Sequence, residues 1–336
     1  MAVEYVLHDR SILLPYMTRF VVQPLVRAIP PGVSANALTL TSAVCAASGF
    51  ALALLLPPSR WVPALVAALF AAYTLLDNLD GPHARATGTS SPLGEFLDHW
   101  LDSLNGVFVF VGTVFALQAH DLRGMTILAL MVASAALTFW EQRVTGRMYM
   151  GAVGNLEGLV LVIGALMFAA IIGPEAVHRP IWHGYDAVDA FLGIGLLAGG
   201  ATIVGPMWRT GRQLHQVLWV LTPLVALLAW QARGDVPILA HCVLAALVGP
   251  LTGGRFLIGR VTKQDGVGPD LPILCAIASM AVVCAALRPP GYAQFGLACV
   301  LLAWASARVA GDFRDAVRQL AAYVRPDEVL ARLLPR

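Results

Sequence analysis

Between residues 77 and 102 the chain reads DNLDGPHARATGTSSPLGEFLDHWLD, setting Asp77, Asp80, Asp98 and Asp102 among hydrophobic runs where charge is expensive. Asp77 and Asp80 are three residues apart, and Gly94, Asp98 and Asp102 follow at intervals of four, so on two helices each set projects from one face. Two carboxylate pairs can then point at each other across a helix interface. Four close carboxylates in a poorly hydrated cavity stay ionised only if cations neutralise them, and all-oxygen ligation suits hard divalent ions such as Mg²⁺ or Mn²⁺. The expectation is a site for one or two such ions. Divalent ions of this kind hold phosphate oxygens, and Gly81, Ala84 and Gly94 are small enough to let a bulky ligand approach the helix backbones. A diphosphate-bearing substrate is the expected guest.

The elements that must position these residues are helices in a membrane. With 58% hydrophobic and 12% charged residues, the chain is far more apolar than an average globular domain. The stretch MAVEYVLHDRSILLPYMTRF has acidic residues and no apolar core followed by a small-residue cleavage site, so the first spans are expected to direct their own insertion. Residues 9–29 mix apolar residues with Arg10, Arg19 and Arg27 and suit an amphipathic helix lying at the interface. Ten apolar runs follow, at about 36–57, 61–79, 93–118, 124–141, 157–173, 187–207, 215–232, 236–258, 271–287 and 291–307. The tail from Gly311 alternates apolar and charged residues at helical spacing and reads as another surface-lying helix. The expected fold is all-α and polytopic: one membrane domain over 1–336, with an interfacial segment at 1–35, transmembrane helices at 36–309 and an amphipathic tail at 310–336. The five cysteines all lie in apolar runs without metal-ligand spacing and read as small core hydrophobes.

Placing the N-terminus in the cytoplasm puts seventeen of the 22 basic residues inside and leaves only Arg60, Arg123, Arg179, Arg233 and Arg288 outside. That asymmetry fits the positive-inside rule for an even number of spans with both ends cytoplasmic, and it turns the aspartate stretch toward the cytoplasm.

The fixed positions of this stretch, Asp-x-x-Asp-Gly-x-x-Ala-Arg, eight residues, then Gly-x-x-x-Asp-x-x-x-Asp, resemble the signature of the CDP-alcohol phosphotransferase family, with Arg85 as its arginine. Within that family, DGPHARATGTSSPLGEFLDHWLDSLN is similar to the choline/ethanolamine phosphotransferase branch. Further resemblance lies in DRSILLPYMTRFVVQPLV, in S-A-N-A-L-T with Ala35 where proline is usual, in W-E-Q-R-V-T-G and in G-N-L-E-G with Leu156 departing. Ten spans are also what the branch has. The resemblance implies transfer of a phospho-alcohol from a CDP-alcohol to a lipid hydroxyl, releasing CMP. It implies Asp77, Asp80 and Asp98 as metal ligands, Asp102 as ligand or general base, and a homodimer.

Several residues keep two readings each. His99 is a general base, or it donates a hydrogen bond that fixes an aspartate; adjacent helical positions point about 100° apart, so His99 and Asp98 aim at one atom only in a wide site. Arg85 contacts the CDP phosphates or anchors the cytoplasmic side. Asn36 contacts the nucleotide, as the family's asparagine does, or caps the first span. Glu141 and Glu157 pair with a cationic head group, or with Arg143 or Arg147. The favoured substrates are CDP-choline or CDP-ethanolamine with diacylglycerol or a similar lipid hydroxyl. The alternative uses CDP-diacylglycerol with a soluble head group such as inositol phosphate, glycerol phosphate or serine. A cation transporter is the remote third reading, because these carboxylates cluster at one membrane face rather than deep in several spans. No nucleic-acid partner is expected.

Overall fold

The computed structural model of the chain describes residues 6–151, 154–210 and 214–320. A short strand β1 (Val6–Asp9) precedes α1 (Leu14–Met17), which runs through a π-helical turn at Thr18–Val22 into α2 (Gln23–Ala28). Then come α3 (Ala35–Leu55), α4 (Trp61–Thr87), α5 (Pro92–Ala116) and α6 (Leu122–Thr145). Strand β2 (Arg147–Met150) pairs with β1 and leads to α7 (Asn155–Ile172), α8 (Ala187–Arg209) and α9 (Leu214–Arg233). Next, α10 (Ile238–Gly249) continues through a second π turn, Pro250–Gly254, into α11 (Arg255–Val261). The last two are α12 (Leu271–Leu287) and α13 (Gly291–Leu320). Each π turn lies beside a proline, Pro24 or Pro250, whose missing N–H leaves a carbonyl one turn back without its helical donor.

Eight of these helical segments are long and apolar enough to cross a membrane, and the chain is a multi-pass integral membrane protein. The ten expected runs all fall on helices. The two outside the eight are α12, which has only 17 residues, and α5, whose first half carries Glu95, Asp98 and Asp102. Two boundaries differ from expectation. The second run, expected to end at Leu79, stays helical to Thr87, and the last continues without a break through Gly311 to Leu320. The 310–336 tail is therefore not a separate helix as far as Leu320, because nothing at Gly311 breaks the backbone ladder; residues 321–336 lie outside the described residues. Strand β1 had no signal in the hydropathy pattern.

The helices sort into two compact units. The first holds β1, α1 to α5, β2 and α7; the second holds α6, α8 to α12 and α13 up to Asp315. Hydropathy marks helices as apolar but does not say which of them pack together.

In the first unit α3 packs along both α4 and α5, and α7 packs on α4. The inner face of the N-terminal helix joins this bundle: Val22 is buried with Leu38 and Leu79, and Met17, Leu25, Val26 and Ile29 pack around them. Its other face leaves Tyr16 and Phe20 more than 60% exposed. The segment is held at its start by Glu157, at the N-terminus of α7. This carboxylate accepts hydrogen bonds from the Ser11 hydroxyl at 2.6 Å, the Leu13 amide at 2.9 Å and the Gly154 amide at 2.8 Å. Near the far end of the bundle Phe70 of α4 is fully buried against two glycines. A Cβ on Gly112 of α5 would lie 2.9 Å from the Phe70 ring and 3.1 Å from the Phe50 backbone, and one on Gly49 of α3 would overlap the same ring.

In the second unit α9 packs on α12, and α6 packs against α9, α10 and the following π turn. Buried Asp270 is ion-paired there. Arg255 donates to Asp312 at 2.7 and 2.8 Å, and Arg308 reaches Asp270 at 2.7 Å.

Candidate active site

The turn between α4 and α5 sets the geometry of the aspartates. Helix α4 closes in a Schellman arrangement: the Thr89 amide donates to the Ala84 carbonyl at 2.9 Å and the Gly88 amide to the Arg85 carbonyl at 3.3 Å. Gly88 takes φ +67°, a left-handed conformation that glycine adopts without a steric penalty. Ser91 then caps α5 by accepting from the Gly94 amide at 3.1 Å, with Pro92 at the first helical position. Asp77 lies eleven residues before Gly88 and Asp102 eleven after Ser91; Asp80 lies eight before and Asp98 seven after. An antiparallel reversal therefore brings Asp77 level with Asp102 and Asp80 level with Asp98.

The side chains follow that register. The carboxyl groups of Asp77 and Asp102 are within hydrogen-bonding reach of one another, and Asp98 and Asp80 lie close enough to feel their charge. Two carboxylates in contact cannot both be anionic without a proton or a cation between them. Donor atoms of Asp98, His99 and Asp102 all lie within 4.8 Å of one another. A mutual separation of up to 4.8 Å is compatible with the wide site that the roughly 100° between neighbouring positions calls for. The donor set fits a divalent cation, since it offers carboxylate oxygens with one imidazole beside them.

The other expected substrate contacts surround this cluster. Gly81 has no side chain between Asp80 and Arg85, whose guanidinium would lie 3.4 Å from a Cβ placed there. Arg85 itself is exposed, and its charge acts on Asp80. Ala84 is half-buried one turn beyond Asp80. Asn36 is buried in the first turn of α3, and a Cβ on Gly94 would lie 3.2 Å from its Oδ1, so α3 and α5 meet at that glycine. The cap of α3 is Ser34, which accepts from the Ala37 amide at 3.1 Å, rather than Asn36.

The two glutamates are not brought together. Glu157 spends its oxygens on the N-terminal segment, as above. Glu141 belongs to the second unit, where it is fully buried and ion-paired with Arg209, Nη2 to Oε2 at 2.9 Å. Neither pairs with Arg143 or Arg147 in the described contacts; Arg143 donates instead to loop carbonyls, including Asp265 at 2.6 Å.

Sequence reasoning missed three residues. The Thr39 hydroxyl donates to Asp80 Oδ2 at 2.5 Å, and the Tyr73 hydroxyl to Asp102 Oδ1 at 3.3 Å. The His83 ring bonds the Val33 carbonyl through Nε2 at 2.8 Å. Tyr73 was visible in principle, four residues before Asp77 and hence on its face. Thr39 and His83 meet their partners across helices, which spacing within one helix does not encode.

Residues 33–194 match the family model for CDP-alcohol phosphatidyltransferase. The chain is 35% identical over 138 residues to ethanolaminephosphotransferase 1 of Mus musculus, covering 39% of this chain and 34% of that protein. It is 34% identical over 117 residues to cholinephosphotransferase 1 of Xenopus laevis, covering 34% and 29%. A longer match, 30% over 214 residues, is to a CDP-diacylglycerol–serine O-phosphatidyltransferase of Encephalitozoon cuniculi and covers 58% of this chain and 56% of that protein. The chain thus spans about a third of the length of the choline and ethanolamine relatives it matches.

Proposed function

We propose that the protein transfers phosphocholine or phosphoethanolamine from the CDP-alcohol to diacylglycerol or a similar lipid hydroxyl, releasing CMP. The observation that carries this reading is the convergence of Asp77, Asp80, Asp98, His99 and Asp102 within the stretch that matches the family model. Asp77, Asp80 and Asp98, with Asp102 as a fourth oxygen donor, would hold one or two Mg²⁺ or Mn²⁺ ions. A divalent cation bound there supplies positive charge against the diphosphate oxygens and the departing CMP. Arg85 adds a further positive charge beside Asp80, and Gly81, Ala84, Gly94 and Asn36 shape the nucleotide side. The acceptor oxygen attacks the phosphorus bearing the alcohol, the bond from that phosphorus to the bridging oxygen breaks, and CMP leaves. His99 or Asp102 takes the proton of the acceptor hydroxyl. We assign Glu157 to the N-terminal segment and Glu141 to Arg209, and neither to the head group.

The aspartates face the cytoplasm in this reading, supported by the seventeen-to-five distribution of basic residues. The enzyme works as a homodimer, which light scattering of the detergent-solubilised protein tests.

A second reading takes CDP-diacylglycerol as donor and a soluble alcohol as acceptor, favoured by the length of the match to the serine-accepting relative. One assay separates them. Purified protein is incubated with CDP-choline, CDP-ethanolamine or CDP-diacylglycerol, each with Mg²⁺ or Mn²⁺, in the presence of diacylglycerol or of soluble alcohols. CMP release from the first two with diacylglycerol, abolished by EDTA, is expected; release from CDP-diacylglycerol alone moves the protein to the second reading, and no release from any removes both.

A further inference from the structure

The donor site needs the first turn of α3 to stay against α4, and the structure has two fasteners there. One is the bond from Thr39 to Asp80. The other is His83, which lies three residues past Asp80 and is 1% exposed. Its Nε2 is 2.8 Å from the carbonyl oxygen of Val33. A carbonyl can only accept, so Nε2 carries the proton of this bond. Val33 belongs to the turn Pro30–Ser34 that enters α3; its own amide closes on the Pro30 carbonyl at 3.0 Å. Asn36 lies three residues after Val33 and three before Thr39, so the two fasteners bracket it. Asn36 in turn meets α5 at Gly94. Pro30 and Pro31 offer this turn no N–H donors, so it is fixed through Val33, whose side chain packs on the Val22–Leu38–Leu79 cluster and whose carbonyl takes the His83 bond from α4.

We propose that His83 is a positioning residue for the CDP-alcohol: by holding the Val33 carbonyl it fixes the turn that presents Asn36 beside the aspartates. This rests on the donor site proposed above, and goes beyond it because His83 is not among the fixed positions of the signature and touches none of the reacting groups. The ring is buried and the Val33 end of the bond half-buried, so losing the bond removes the one side-chain donor this carbonyl has among the described contacts and loosens the turn. The effect falls on donor binding and leaves the chemical step at the aspartates in place.

The test compares three substitutions. Glutamine can place an N–H near the position of the histidine Nε2, asparagine near that of Nδ1, and leucine supplies neither. His83→Leu and His83→Asn are expected to raise the KM for the donor that the wild type turns over by about tenfold, with kcat changed far less. His83→Gln is expected to stay near the wild-type KM. Hydrogen–deuterium exchange of residues 33–37 gives a readout independent of activity: faster exchange in the leucine and asparagine variants, near wild-type in the glutamine variant. Should the leucine variant fail to fold, the glutamine–asparagine comparison still decides. Equal KM values and equal exchange in all variants overturn the proposal, as does a glutamine variant as impaired as asparagine, or a loss confined to kcat. A wild type that releases no CMP from any of the three donors defeats the proposed function and the donor role of His83 with it; the exchange data then report only whether the fastener exists.

Discussion

Asp98, His99 and Asp102 present three donor atoms within 4.8 Å, so the question left at this scale is which of the last two takes the proton. Asp102→Asn and His99→Ala separate them. Replacing the base lowers kcat by about 10²–10⁴ at an unchanged donor KM, and rescue of Asp102→Asn by raised Mg²⁺ marks it as a ligand instead. Thr39→Val leaves an oxygen of buried Asp80 without its 2.5 Å donor, and is expected to raise the Mg²⁺ concentration for half-maximal activity about 10–100-fold. An unchanged metal titration shows that Asp80 needs no such support. The aspartates were legible because carboxylates in apolar runs at spacings of three and four have few other uses. Thr39, Tyr73 and His83 were not, since a hydroxyl or a histidine in a helix is common and only the neighbouring helix gives it a task. Glu141 makes the same point, because its partner Arg209 lies 68 residues away.

Among the elements, the helices were readable from apolar run length alone, and the ends were not. The apolar run stops at Leu79, yet α4 continues through Asp80, Pro82 and Arg85, and the Schellman turn at Gly88 supplies the actual stop. Gly88→Ala places a Cβ at φ +67° and should cost about 1–2 kcal/mol, read as a lower melting temperature in detergent. No change would mean that the turn relaxes to another backbone. At the other side of the unit, Glu157→Ala removes the acceptor for Ser11, Leu13 and Gly154. Faster proteolysis within residues 6–28 with an unchanged preference between CDP-choline and CDP-ethanolamine is expected; a switched preference would return Glu157 to the head group.

For the whole molecule, the orientation is open to a direct check. In a variant without the five native cysteines, Ser90→Cys in the α4–α5 turn should react with a membrane-impermeant maleimide only from the cytoplasmic side. Glu175→Cys between α7 and α8 should react only from the opposite side. Labelling of both from one side would refute the alternation of α5, α6 and α7 across the bilayer. Length and hydropathy were enough to find the eight helices long and apolar enough to span, but the division into two units was not in the sequence, because lipid-facing and helix-facing apolar surfaces are written in the same residues. One packing detail of the first unit has a genetic consequence. Gly112 stands ten residues from Asp102, about 15 Å along α5, and with Gly49 it leaves Phe70 just enough room. No amino acid is smaller than glycine, so every missense allele at codon 49 or 112 adds volume where there is none. A saturation scan of this chain will therefore draw two foci of intolerance, one at the carboxylates and one around Phe70, and added metal or substrate will rescue variants only at the first.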